Sequence, residues 1–119
     1  MHNAMFVAWG APVRGREISA SKVFSEWVEM LGGWQTKGSI KSFTPCFVHP
    51  HGSQLGGFFL IQGEPAKLDQ IFASEELRKA TVRAQLIVDH FSVVRALTGD
   101  EIGKQMGVFT QNASEFGAK

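Results

Sequence analysis

Cysteine is almost missing from this chain: Cys46 is the only one in 119 residues. An intramolecular disulfide is therefore impossible, and a cysteine-rich zinc site is excluded. Cys46 lies between Pro45 and Phe47, with no adjacent Lys, Arg or His to activate the thiol, so it reads as a small apolar strand residue. Tyrosine is absent altogether, which removes a phenolic acid from any mechanism. An excess of one charge is lacking too: 12 Lys and Arg against 11 Asp and Glu leave a formal charge of +1. The cations are scattered, so the clustered basic face of a nucleic-acid binder is not there. No apolar run is long enough to span a membrane. Met1-His2-Asn3-Ala4-Met5 lacks the basic region and long apolar stretch of a signal peptide. The expected setting is the cytoplasm, with neither membrane nor nucleic acid as a partner. Repeats, low-complexity segments and linkers are also absent, so residues 1–119 read as one domain.

What the chain does have is the material of a core. Hydrophobic residues make up 44% and charged residues 19%, a globular balance. Ala4 to Trp9 is a short apolar run ended by Gly10-Ala11-Pro12, the pattern of a buried strand. A helix is expected from Ser19 or Ser21, either of which suits an N-cap. Val23, Phe24, Trp27, Val28, Leu31 and Trp34 recur on one stripe, and Gly32-Gly33 reads as the stop. Residues 38–49 read as a strand, placed at an edge or bulged because Pro45 cannot donate to a ladder. Pro50-His51-Gly52-Ser53 is turn chemistry, and a returning strand runs from Leu55 to Gln62. Gly63-Glu64-Pro65 opens a helix with Leu68, Ile71 and Phe72 inward. Ser74 caps a second helical piece. Ile87 to Leu97 is expected as one continuous strand. Thr98 and Glu101 have the spacing of a capping box, ahead of a last helix striped by Ile102, Met106 and Phe109. Residues 110–119 are expected to fray.

The order β, α, β, β, α, β, plus one helix, is that of a split βαβ, or ferredoxin-like, α+β domain. Its expected antiparallel sheet has strand order 4-1-3-2 and both main helices on one face. The strands look apolar on both sides: Met5, Val7 and Trp9 alternate with Ala4, Phe6 and Ala8. The second face thus calls for a cover, and a second copy of the chain is the simplest.

From Gly56 to Leu97 the texture becomes more particular. Gly-Gly-Phe-Phe-Leu-Ile-Gln-Gly is followed by a helix opening Glu-Pro-Ala-Lys-Leu-Asp, a second piece from Ser74-Glu-Glu-Leu, and Val-Asp-His-Phe-Ser-Val-Val-Arg-Ala-Leu. This stretch resembles the second half of YciI-related proteins and of small cofactor-independent monooxygenases, members of the dimeric α+β barrel superfamily. The resemblance implies a homodimer whose sheets meet face to face, with no cofactor. The chain departs from the YciI pattern, which has a His and an Asp in its first half. Here the only early histidine is His2, and the hairpin reads His49-Pro50-His51-Gly52 rather than Asp-Gly-Pro-Phe. No functional residue transfers.

Four groups could carry chemistry. Trp9, Phe43, Phe47 and Phe59 occupy matching odd positions on three strands and could line a pocket for an apolar or aromatic molecule, or simply pack the core. His90 shares an expected strand face with Ser92 and is the candidate catalytic base; the plainer reading is a hydrogen-bonded interface histidine. Adjacent Asp89 points to the opposite face, so the two form no dyad. His49 could face a ligand, and His49 with His51 could share a metal across Pro50; the plainer reading is a solvated turn, since no third ligand is near, and no metal is expected. Arg14-Gly15-Arg16 could hold an anion or be a solvated loop. The function classes left are a homodimer binding a small apolar molecule, a cofactor-independent enzyme with a histidine base, and an interaction subunit that docks through its last helix.

Overall fold

The computed structural model describes residues 1–117. The first apolar run forms β1 (Ala4–Trp9), and α1 (Glu17–Lys37) follows the glycine-containing loop. Strands β2 (Ser42–Phe47) and β3 (Gly57–Gln62) make an antiparallel hairpin. Next come α2 (Pro65–Phe72), α3 (Glu75–Gln85), β4 (Ser92–Ala96) and α4 (Asp100–Glu115). The four strands form one antiparallel sheet in the order β2-β3-β1-β4, with β2 and β4 at the edges. Pro45 therefore sits on an edge strand, where its missing N–H leaves no ladder bond unmade.

Alternation sorts the strand residues by parity, and the register keeps that parity across the sheet: Val7 pairs with Phe59 and with Val93. Odd positions meet the helices. Met5, Val7, Phe59 and Ile61 join Val23, Trp27, Leu31, Trp34, Leu68 and Leu77 in the core. Two indoles also tie helices together: the Trp27 N–H donates to the Ala80 carbonyl (3.2 Å), and the Trp34 N–H donates to Glu76 Oε1 (2.7 Å). Arg83 on α3 grips the Glu26 carboxylate of α1 with two donors at 2.9 Å. That hydrogen bond from Arg83 holds the Glu26 carboxyl below the usual carboxylate range, against a smaller opposing effect of desolvation.

Several boundaries differ from expectation, each for a local reason. Helix α1 starts at Glu17 and runs through Gly32-Gly33, ending only where Gly38 takes the left-handed conformation (φ 81°). The glycines weaken the helix by about 1 kcal/mol each, but Leu31 and Trp34 on either side are both buried and hold it together. The hairpin strands are shorter than expected, at Ser42–Phe47 and Gly57–Gln62. The pause at Ala73-Ser74 does split the second helical region; Ser74 Oγ accepts from the Leu77 N–H (3.2 Å).

The last strand is not continuous from Ile87. Segment 87–89 still runs beside 10–13, the Gly10 N–H donating to the Asp89 carbonyl (2.7 Å) and the Asp89 N–H to that of Ala11 (2.9 Å). Its only bridge there is Pro12 with Val88, and proline cannot extend a ladder. His90, at φ 57°, then breaks the strand, which resumes at Ser92. The capping box does not form either. Gly99 is the cap of α4, and Thr98 is occupied elsewhere: its N–H donates to Asn3 Oδ1 (2.9 Å), and its hydroxyl oxygen accepts from Gln62 Nε2 (3.2 Å). Helix α4 persists to Glu115, past the expected point of fraying; residues 118–119 lie outside the described residues. Among the described residues no helix is long and apolar enough to cross a membrane.

Candidate ligand-binding site

At the end of the sheet where β1 finishes and β3 begins, the helices and the strands do not close on each other. They leave a cavity of about 610 Å³. Six aromatic rings line it: Trp9, Phe24, Trp27, Phe47, Phe59 and Phe91. The rings touch one another. Trp9 and Phe59 lie 5.0 Å apart between centroids, Phe24 stacks on Phe59 at 5.5 Å, and Trp27 meets Phe91 edge-on at 5.6 Å. Ala20, Ala84 and Val88 fill in between. Polar groups are few: Ser21, Ser25 and Glu17 on α1, with backbone at Gly10, Ala11 and Gly56. Glu17, Ser21 and Ser25 are all exposed, so they stand on the solvent side of the cavity.

Gly57 makes this arrangement possible. It is the cross-strand partner of both Trp9 and Phe47, and its missing side chain lets those rings approach to 6.4 Å. A Cβ at Gly57 would sit 2.7 Å from Trp9 Cζ2 and 2.8 Å from the Cys46 carbonyl oxygen. The carbonyl belongs to a paired strand and cannot retreat. Gly57→Ala is therefore expected to lower stability by about 1–3 kcal/mol through overpacking, and to change the near-UV circular dichroism as Trp9 is pushed aside. A urea titration and that spectrum check both.

Of the residues singled out in the sequence, Trp9, Phe47 and Phe59 line the cavity. Phe43 shares their face and packs against the core, but it pairs with Ile61, four residues along the strand from Phe47. At roughly 3.3 Å per residue it belongs to the other end of the sheet. Ser92 opens β4 and is exposed. His90 is exposed in the turn before β4 and is not part of the cavity lining, because the strand break removes the face it was expected to share. His49 and His51 are exposed in the loop between β2 and β3, where His51 Nδ1 donates to the His49 carbonyl oxygen (2.8 Å). Among the described residues no three or more His, Cys, Asp or Glu side chains converge as a metal site requires. Arg16 is engaged structurally, donating to the Leu86 carbonyl (3.1 Å). Arg95 pairs with Asp69 and lies over the Phe72 ring at 4.2 Å.

In the sequence, Phe24 and Trp27 read as part of the helix stripe and Phe91 as one residue of a strand face, and nothing there gathers them into a site. The signal was present in part: Phe24 and Trp27 are three residues apart on α1, and helical spacing puts them side by side over the strands. No protein-family model, no curated protein and no solved structure matches the chain.

Proposed function

We propose that the chain is a ferredoxin-like subunit of a homodimer, and that it holds a small, neutral, apolar or aromatic molecule between sheet and helices. The carrying observation is the box of six aromatic rings around about 610 Å³, a volume within the range of roughly 300–1,000 Å³ typical of small-molecule sites. Flat ligands suit such walls, because rings prefer offset or edge-on neighbours. Glu17 is the one charged lining residue, so an anion is disfavoured. The ferredoxin-like reading is supported by the antiparallel order β2-β3-β1-β4, which read from the other edge is 4-1-3-2, and by the position of α1, α2 and α3 over the odd-numbered side chains. The homodimer is supported by the apolar even-numbered face. Enzyme chemistry with a histidine base gains nothing from the geometry, since no histidine lines the cavity.

The test is a titration with N-phenyl-1-naphthylamine, a neutral aromatic probe, followed by quenching of tryptophan fluorescence. Saturable quenching at one probe per chain is the expected outcome. Quenching that is absent, or that rises without saturating, sinks the reading.

A further inference from the structure

Among the described residues, two apolar surfaces have no partner. The first is the even-numbered sheet face. It carries Ala4, Phe6 and Ala8, Phe58 and Leu60, and Val94, with no charged residue at any even position of the four strands. An antiparallel sheet that faces water alternates to polar side chains there; here the even positions hold only Ser42, Thr44, Gln62 and Ser92 as polar residues, and none lies on β1. The second is α4. Ile102, Met106, Phe109, Ala113 and Phe116 follow one another at spacings of four, three, four and three, an unbroken apolar seam along one side of the helix. Yet α4 buries no residue. Ile102 is 51% exposed, Met106 55%, Phe109 65% and Phe116 86%. Helix α4 also contains Gly103 and Gly107, neither with a neighbour in reach. A lone helix of 16 residues with two interior glycines is marginal in water, so its stability must come from packing. The chain's radius of gyration, 16.7 Å, exceeds the about 13–14 Å of a compact domain this long, as an outstretched arm would make it.

We infer that α4 is an exchange arm: its apolar seam lies across the uncharged sheet face of a second copy of this chain, and the partner's arm returns the contact. This rests on the homodimer proposed above and replaces direct packing of sheet on sheet. Dimensions agree. A 16-residue helix is about 24 Å long, enough to cross four strands spaced about 4.8 Å apart. The four large seam side chains leave roughly 500 Å² in water, at about 150–250 Å² for a full aromatic side chain. Two arms and the surfaces they cover then bury roughly 2,000 Å², the size of a stable dimer interface. Pairing of α4 with α4 is the weaker use of the seam, since a lasting coiled coil needs about three to four heptads.

The experiment compares full-length chains by light scattering across a concentration series. M106E/F109E charges the arm, and V94E charges the face. Both sites are exposed in the subunit, so melting temperatures should hold; S92E, at an exposed position on the same face, replaces V94E if that variant does not fold. The expected result is a dimer for the unaltered chain and a dissociation constant raised about 100-fold or more by either change. Loss of the dimer only in the face variant means sheet on sheet and overturns the arm. Loss only in the arm variant means helix on helix and overturns it equally. A dimer that survives both changes overturns the arm but leaves the homodimer standing, while a monomeric unaltered chain removes both.

Discussion

Trp27→Ala is expected to cost about 3–5 kcal/mol of unfolding free energy. Trp27 is 3% exposed and does three things at once. Its ring stacks near Phe59 (6.1 Å, 14° between planes), it meets Phe91 edge-on, and its N–H donates to the Ala80 carbonyl of α3. Truncation opens a void beside the cavity and removes the indole hydrogen bond to Ala80, whose carbonyl keeps its helical partner within α3. A domain of this size has about 5–15 kcal/mol in all, so the loss is a large fraction and the melting temperature should fall by roughly 10–20 °C. Urea denaturation followed by far-ultraviolet circular dichroism measures it. A change under 1 kcal/mol would mean that Trp27 is not the link between α1, α3 and the sheet described here.

Ala20→Phe is expected to abolish probe binding without weakening the fold. Ala20 is half-buried on α1 and lines the cavity. A ring added there enters space that the ligand would occupy and meets apolar walls, so no polar group is buried unpaired. The affinity for N-phenyl-1-naphthylamine should fall tenfold or more, equivalent to about 1.4 kcal/mol or more, and stability should stay level within the small helix-propensity cost of Phe, about 0.5 kcal/mol. Fluorescence titration and thermal melting, run on the same sample, separate the two effects. Unchanged probe binding with an intact fold would place the probe outside this cavity.

Much of the architecture was readable because it depends on local rules. The parity of β1 was visible in Met5, Val7 and Trp9, and the break at Ser74 in a serine placed to cap. Local rules mislead where tertiary packing overrides local chemistry. Gly32-Gly33 looks like a helix stop until Trp34 is seen to need burial beyond it. Thr98 and Glu101 look like a capping box until Asn3 and Gln62 claim the threonine. The cavity was half readable. Parity put Trp9, Phe43, Phe47 and Phe59 on one face, but register decides which end of a sheet a residue occupies. Only the pairing of Gly57 with both Trp9 and Phe47 separates Phe47 from Phe43. His90 is hidden for a related reason, since nothing in Val-Asp-His-Phe announces a left-handed residue at position 90 or the pairing of Val88 with Pro12.

The binding claim has a built-in control, because the chain holds 3 tryptophans and the cavity is lined by Trp9 and Trp27 but not Trp34. Indole N–H resonances from a nitrogen-15 sample, followed by NMR as N-phenyl-1-naphthylamine is added, report on each separately. The expected result is progressive, saturable movement of the Trp9 and Trp27 signals with Trp34, bonded to Glu76, staying in place. Static signals for Trp9 and Trp27 at saturating probe would contradict the account.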